Sequence, residues 1–355
     1  MAQSIDITQT IDLLKQLISI PSTSREEGKV ADFLATYFRT MGLSSMRKGN
    51  NLILKPQNFD TEKPTLLLNA HIDTVKPVAG WQHNPYLATE EGDRIYGLGA
   101  NDCGGGLVAL LNVYQQLITT QQPYNVIYVA SAEEEVSGKA GIESVLPELP
   151  PIALAVVGEP TGMQPAVAEK GLMVLDAIAH GKAGHAARNE GINAIYEALL
   201  DVEWLRTYHF DKESPLLGPV KMSVTQIFAG TQHNVVPDTC SFVVDVRSNE
   251  LYSNQEIFRL IQSHLKSEIK ARSYRLNSSR LALTHPLVER CKAFELEPFG
   301  SPTLSDQALM PFPSLKLGPG QSSRSHTAEE YICVSEIEEA VHLYFKLFDQ
   351  LNLNR

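Results

Sequence analysis

The sequence predicts an α/β domain with a mostly parallel sheet, interrupted by an inserted α+β domain. The chain has 355 residues, about the length of two globular domains. Short apolar runs alternate with helical patterns in its first half, as in a sheet covered by helices on both faces. From about Met173 strand candidates follow one another more closely. We expect the first part of the α/β domain at 1–172, the inserted domain at 173–278 and the second part at 279–355.

Two helices open the chain and short strands follow them. Ile11, Leu14 and Ile18 recur at helical spacing, and Pro21 ends that helix because proline has no backbone N–H to donate. Apolar runs bounded by turns are typical of buried strands in a parallel sheet. These patterns predict helices over 8–19 and 26–41, strands over 52–54, 65–68, 126–131 and 153–157, and a helix opening at Gly104–Gly106.

The inserted segment has a different order of elements. Residues 173–179 alternate apolar and polar side chains, which indicates a strand with one exposed face. The segment predicts strands over 173–179, 220–228 and 241–247, and helices over about 192–206 and 254–269. After about Ser278 the chain is rich in proline, and it ends in a predicted helix over 335–352.

Composition and charge exclude several classes of protein. The net charge is −11 without a Lys/Arg cluster, so we expect no nucleic-acid partner. No apolar run approaches the roughly 20 residues that span a bilayer, so we expect no membrane partner. Asp6 and Asp12 argue against a secretory signal. Four widely spaced cysteines without a CxxC pair argue against a disulfide framework or a thiolate zinc site and favour a cytoplasmic location (Cys103, Cys240, Cys291 and Cys333).

Side chains that can bind metals follow three of the predicted strands. His71 and Asp73 come after the second strand, Glu133–Glu135 after the third and Glu159 after the fourth. Asp102 stands in a loop directly before the glycine-rich helix start. Because ligands bind beyond the carboxyl ends of strands in open α/β sheets, we expect these groups at one edge.

Each group alone has an ordinary explanation. His71-x-Asp73 could be a surface pair, Asp102 a helix cap, Glu133–Glu135 an acidic helix start and Glu159 a turn residue. Together at one edge they would repel one another unless cations neutralised them. Imidazole and carboxylate donors suit zinc, cobalt or manganese, and a carboxylate can bridge two hydrolytic metals.

The positions of these groups in the sequence suggest which could bridge two metals, which could orient His71 and which could act as a general base. Asp102 is the natural bridge, since it stands between the His71 and Glu135 segments. Asp73 can accept the second imidazole N–H of His71 and fix its tautomer. A remaining carboxylate of the run Glu133–Glu135 is then free to act as a general base.

The order of these motifs resembles the M20 family of di-zinc amidohydrolases and peptidases. The matching segments are His71-x-Asp73, Asp102 before glycines, the acidic run, Gly-Glu159-Pro and a late Ser-His-Thr-Ala-Glu-Glu at 325–330. The resemblance covers essentially the whole chain and implies that the inserted domain is a lid and dimerisation domain. Within the family, motif order and length are most similar to acetylornithine deacetylase and related N-acyl-citrulline and N-acyl-ornithine deacylases.

The resemblance implies two metal ions per subunit, zinc by preference with cobalt or manganese as substitutes. Their ligands would be His71, Asp102 and Glu159 for one ion and Asp102, Glu135 and His326 for the other. The sequence departs from the family in having Leu98 for a usual Arg and Cys103-Gly104 for Met-Lys.

The resemblance also implies roles for acidic and lid residues. Glu134 would be the base, although a register shift of one residue would give that role to Glu133. His185 would reach across a homodimer to the partner's site. Asn234 and Arg247 would hold a substrate carboxylate or the developing oxyanion.

The implied reaction is hydrolysis of the amide bond of an N-acyl amino acid. The substrate would be N-acetylornithine-like, as in arginine biosynthesis, and a metal-bridging water activated by Glu134 would attack it. The alternatives are a dipeptidase or aminopeptidase of the same family, an N-succinyl amino acid desuccinylase, and a non-catalytic metal-binding protein. No residue in the sequence distinguishes the acyl groups.

Overall fold

The computed structural model describes residues 7–353 in two compact units. The first unit comprises the described residues up to Val167, Leu281–Phe299 and the described residues from Ser305 onward; the second comprises Ala168–Arg280 and Gly300–Leu304. Among the described residues, no helix is long and apolar enough to cross a membrane. Asp6, which argued against a secretory signal, lies outside the described residues.

The described part of the chain contains the following helices and strands, in chain order. The helices are α1 (Thr8–Ile18), α2 (Gly28–Thr40), α3 (Gly105–Ile118), α4 (Ile142–Val145), α5 (Ala194–Thr207), α6 (Asn254–His264), α7 (Pro286–Ala293) and α8 (Val334–Phe348). The strands are β1 (Ser45–Lys48), β2 (Asn51–Leu54), β3 (Thr65–His71), β4 (Thr89–Glu91), β5 (Arg94–Tyr96), β6 (Asn125–Ser131), β7 (Leu154–Val157), β8 (Ala166–Glu169), β9 (Met173–His180), β10 (Gly184–His185), β11 (Lys221–Ala229), β12 (Val235–Val236), β13 (Thr239–Arg247), β14 (Glu268–Ala271), β15 (Ser279–Arg280), β16 (Phe299–Ser301), β17 (Ser314–Lys316) and β18 (Tyr331–Cys333).

The first unit is built on a sheet whose central strands are parallel. The order is β1-β2-β6-β3-β7-β17, in which β6, β3, β7 and β17 run parallel and the outer pairs are antiparallel. β3 and β6 are buried along their whole length, as expected of strands covered on both faces. The prediction of a mostly parallel sheet is confirmed.

Helices cover both faces of this sheet. On one face Leu67 and Ile127 pack with Ile142 and Val145 of α4 in one apolar cluster. On the other face lies α3, nearly all of whose apolar residues are buried, and the Tyr128 hydroxyl donates to the Leu107 carbonyl at 3.0 Å. This packing holds the ends of the central strands in fixed positions.

The second unit contains an antiparallel sheet in the order β11-β13-β9-β14. Burial alternates along β9, and its inward residues form a core with α5 and α6 that includes Phe242 and Ile257. The predicted separate α+β domain is therefore present. α6 begins with a capping box between Ser253 and Glu256, which satisfies free backbone N–H groups at its start.

The second unit differs from the prediction at the end of α6. The expected helix over 254–269 stops at His264, residues 265–267 form a turn, and β14 begins at Glu268. Leu265 has an extended backbone, and the buried Asp201 carboxylate accepts the N–H groups of Lys266 and Ser267 at 3.1 and 2.8 Å. This side-chain acceptor turns the chain out of the helix, which local periodicity does not reveal.

Candidate metal centre

Three adjacent parallel strands end at the same edge of the first unit's sheet. β3 ends at His71, β6 ends two residues before Glu133 and β7 ends two residues before Glu159. Because the strands run side by side in the order β6-β3-β7, their carboxyl ends lie together. Their polar side chains therefore converge on one rim.

Asp102 lies between two imidazole rings at this rim. Its Oδ1 is 3.1 Å from Nε2 of His71, and its Oδ2 is 3.6 Å from Nε2 of His326. His71 Nε2 also lies 3.7 Å from Oε1 of Glu159, while His326 Nε2 lies 2.8 Å from Oε2 of Glu135. The five side chains thus form two groups that share one carboxylate.

The His71 ring is held from behind by Asp73. His71 Nδ1 lies 2.8 Å from the Asp73 carbonyl oxygen and 3.5 Å from its carboxylate, so the main chain makes the closer contact. The carboxylate instead accepts the Ser24 hydroxyl at 2.7 Å and the N–H groups of Glu134 and Glu135 at 3.0 and 3.1 Å.

The acidic turn at 133–135 is fixed through its backbone. Asp73 holds two of its N–H groups, and the buried Glu27 carboxylate accepts the third, from Glu133, at 3.1 Å. Glu133 has a left-handed backbone with φ 56°, and its carboxylate fills the space beside Gly138, where any larger side chain would collide with it. Sequence reasoning missed Glu27, which shows no motif of its own.

The loop that carries Asp102 is held by Glu330. This side chain is 2% exposed, and its two oxygens accept the N–H groups of Gly99, Asn101 and Asp102 at 3.0, 2.9 and 2.9 Å. Glu330 stands four residues after His326, so one short segment carries one candidate ligand, His326, and fixes the backbone of another, Asp102. Glu330 is the last residue of the late motif at 325–330, but the sequence does not show that it accepts these backbone N–H groups.

Crowding of acidic groups changes their protonation in the metal-free site. Burial, together with the nearby charge of Asp102, raises the pKa of Glu159 to about 8. Burial and the charge of Glu159 likewise raise the pKa of Glu134 well above its usual value. The hydrogen bond with Glu135 raises the pKa of His326 to about 9. Cations bound here would offset this repulsion, because a nearby positive charge stabilises the ionised form of a buried carboxylate.

The donors fit metal ions in number and chemistry. His71, Asp102 and Glu135 each offer one atom within 4.8 Å of the others, and His71, Cys103 and Glu159 do the same. Glu159 Oε1 is buried and has no hydrogen-bond partner among residues 7–353. A buried acceptor without a donor is costly unless a cation satisfies it. Imidazole and carboxylate donors suit two divalent ions of the zinc class, and the two oxygens of Asp102 can serve one ion each.

The other predicted site residues belong to the second unit. His185 on β10 pairs with Val235 on β12, and the Asn234 carbonyl accepts the Ala186 N–H at 3.0 Å, so His185 and Asn234 are neighbours. Arg247 lies at the end of β13, where its guanidinium makes a two-pronged ion pair with Asp245 at 2.8 and 3.1 Å. Within this unit, Arg247 is thus already engaged by a carboxylate.

Comparison with known proteins decides the family. A sequence profile described as peptidase family M20/M25/M40 matches residues 67–350. The chain belongs to the M20/M25/M40 peptidase family. This M20 protein is therefore a metallo-hydrolase by family, and its His/Asp/Glu group is a candidate metal site.

This M20 protein is similar in sequence to an acetylornithine deacetylase and to a succinyl-diaminopimelate desuccinylase. It is 26% identical to an acetylornithine deacetylase of Proteus mirabilis over 99% of this chain and 98% of that protein. It is 27% identical to a succinyl-diaminopimelate desuccinylase of Wolbachia pipientis over 76% of this chain and 72% of that protein.

Solved structures show the same fold. Aminopeptidase PepT of Bacillus cereus superposes with a TM-score of 0.78 at 17% identity, covering 98% of this chain and 99% of that one. A dinuclear metal-binding M20 peptidase of Bacillus subtilis gives 0.71 at 16% identity, with 96% of each chain covered. These likenesses confirm the fold and leave the substrate open.

Proposed function

We propose that this M20 protein hydrolyses the amide bond of an N-acyl amino acid, releasing a carboxylate and a free α-amine. The observation that carries the proposal is the position of Asp102 between His71 and His326, with Glu159 and Glu135 completing the two groups. A shared carboxylate between two donor sets is the arrangement that hydrolytic metal pairs require.

Glu134 is the general base in this proposal. Two divalent cations, when bound, lower the pKa of water and polarise the substrate carbonyl. Glu134 accepts the proton of the attacking water and returns it to the leaving nitrogen. Burial and the charges of Glu159, Asp306 and Glu135 raise the pKa of the Glu134 carboxyl, which supports a position for Glu134 beside these acidic groups, whereas the Glu133 carboxylate lies against Gly138. This contrast favours the register with Glu134 as base over the one with Glu133.

The second unit serves as the lid in this proposal. Nδ1 of His185 accepts the Ala187 N–H at 3.1 Å, so a neutral ring carries its hydrogen on Nε2. That N–H can donate to the oxyanion of the tetrahedral intermediate in the partner's site. Arg247 and Asn234 would hold the substrate α-carboxylate. To do so, Arg247 must break its ion pair with Asp245 and bind the substrate carboxylate in its place.

A homodimer through the second unit is supported by its exposed apolar side chains. Tyr196, Leu199 and Leu200 of α5 are 68%, 51% and 57% exposed and recur at helical spacing. Phe228, on the edge strand β11, is 65% exposed. An apolar face of this kind beside an unpaired strand edge indicates contact with a second copy.

The substrate is proposed to be an N-acetylornithine-like amino acid derivative, as in arginine biosynthesis. The similarity to an acetylornithine deacetylase over 99% of this chain supports this choice. Matches to succinyl-diaminopimelate desuccinylases, one of them a putative desuccinylase matched over 94% of this chain, make an N-succinyl group the alternative.

A substrate panel tests the proposal. Protein loaded with zinc is incubated with N-acetylornithine, N-acetylcitrulline, N-succinylcitrulline, N-succinyl-diaminopimelate and a set of dipeptides, and free amine is measured. Release from an N-acetyl amino acid alone is expected. Release only from dipeptides would overturn the deacylase assignment in favour of a peptidase, and inactivity with two metals bound would indicate a non-catalytic protein.

A further inference from the structure

We propose that Cys103 is a sulfur ligand of the metal ion held by His71 and Glu159, so that this position offers imidazole, thiolate and carboxylate donors. The inference rests on the proposed function only in that it needs a cation at this position. Sequence reasoning argued against a thiolate site, because no two cysteines are close in the chain. Cys103, however, directly follows Asp102, the proposed bridging carboxylate.

The position of the thiol carries the inference. Cys103 is 2% exposed, and its Sγ accepts the backbone N–H of His71 at 3.2 Å. Sγ, a ring nitrogen of His71 and a carboxylate oxygen of Glu159 all lie within 4.8 Å of one another. Ligand atoms of one tetrahedral zinc ion, bound at about 2.0–2.3 Å, are separated by roughly 3.3–3.7 Å, so atoms up to 4.8 Å apart must approach by about 1 Å to bind the same ion.

Glu159 provides the second observation. Its Oε1 lies 3.7 Å from His71 Nε2 and has no hydrogen-bond partner within the described part of the chain. The orphaned oxygen therefore faces a space bordered by an imidazole and a thiol. That combination favours borderline and soft ions such as zinc, cobalt and cadmium over manganese or magnesium.

Cys103 is one of the positions at which this chain departs from the family pattern. Many M20 proteins carry methionine at this place, and a thioether cannot form a thiolate. When Cys103 binds the ion, the S–H proton leaves to solvent and the sulfur lone pair forms the new bond, with no oxidation. The chain thus has a donor here that the usual ligand set lacks.

Cobalt substitution tests the proposal. The full-length protein is loaded with two equivalents of Co²⁺, and its absorption spectrum is recorded with the bound cobalt quantified. A near-ultraviolet sulfur-to-cobalt charge-transfer band is expected, and it should vanish in Cys103→Ser and Cys103→Met while two cobalt ions remain bound. The control is Cys333→Ser, at a half-buried cysteine that caps α8, where serine is a preferred cap. This variant should keep the band.

Metal preference provides a second measurement. In Cys103→Met the ratio of Cd²⁺ to Mn²⁺ affinity should fall about tenfold or more, since even partners outside the coordination shell contribute that much. Two bound cobalt ions and amide hydrolysis without the band, or a band that survives Cys103→Ser, would overturn the sulfur ligand and leave the proposed function standing. A chain that binds no cobalt and hydrolyses no amide would overturn both.

Discussion

The two units hold their predicted functional residues in different ways. In the first unit the candidate metal-binding side chains are fixed by buried carboxylates, because Asp73, Glu27 and Glu330 accept the backbone N–H groups of the loops that carry them. In the second unit His185 is exposed on a two-residue strand, and Arg247 is paired with Asp245. The centre is therefore preorganised, whereas the groups proposed to bind substrate must change partners.

The largest effect is expected from the base. Glu134→Gln should lower kcat by about 10²–10⁴, because general-base catalysis contributes that much, while bound metal stays near two ions per chain. Glu133→Gln is the matched control and should change kcat less than about tenfold, within the range of a supporting residue. Steady-state kinetics with metal analysis checks both. Loss of activity only in Glu133→Gln would reverse the register.

The exposed histidine is expected to act across the dimer. His185→Ala should lower kcat about 10²–10³, as removal of an oxyanion donor does. Mixing His185→Ala with Glu134→Gln subunits should restore about a quarter of wild-type activity, since half of randomly mixed two-fold dimers are hybrids with one complete site each. Activity is measured after subunit exchange has been verified by mass spectrometry. No recovery would contradict a role in trans.

The support provided by Glu330 is expected to show in metal binding. Glu330→Gln keeps the shape of the side chain but weakens acceptance of the three N–H groups at 99–102. Affinity for the weaker-bound metal should fall about 10–100-fold, the usual effect of partners behind metal ligands. Titration against a chelator measures it, with Glu329→Gln as control, because the Glu329 carboxylate bonds to Gln82 and His83 instead. Equal losses in the two variants would mean a general loosening of this segment.

Arg247 is expected to act on substrate binding alone. Arg247→Lys should raise KM about tenfold with little change in kcat, because lysine keeps the charge but loses two-pronged carboxylate binding. Asp245→Asn frees the guanidinium from its present partner and should lower KM. Kinetics on an N-acyl amino acid and on its amide, which lacks the α-carboxylate, separates the effects. A KM change of equal size on both substrates would exclude carboxylate recognition.

Metal affinity should depend on pH through His326. The hydrogen bond with Glu135 raises its pKa to about 9 in the metal-free protein, so a proton occupies the ring below that pH. Metal binding must displace this proton and, below about pH 8, also the proton of the Glu159 carboxyl. Affinity should therefore rise by up to about 100-fold per unit below pH 8, by up to about tenfold per unit between pH 8 and 9, and level off above pH 9. Chelator competition over this range measures the slope. An affinity independent of pH would contradict the assignment of His326 as a ligand.

Most of the fold and the centre could be predicted because their signals are local. The apolar runs at 66–68 in β3 and 126–130 in β6 predict buried parallel strands, and parallel strands bring the residues after them to one edge. The turn after α6 could not be predicted, since it depends on Asp201, 65 residues away. His326 and Glu330 likewise lie more than 220 residues from Asp102, and no spacing rule joins them. The resemblance to the family provided His326, and only the contacts provided Glu330.

The order of the ligands along the chain has a consequence for biosynthesis. His71, Asp102, Glu135 and Glu159 are made before the second unit, whereas His326 comes after it. A growing chain therefore exposes four donors long before the fifth is synthesised, and domains fold in the order in which they emerge. A nascent chain can hold a cation only through an incomplete set of these donors until residue 326 has been added. A chain that stops between residues 159 and 326 would contain four of the five candidate donors and lack His326.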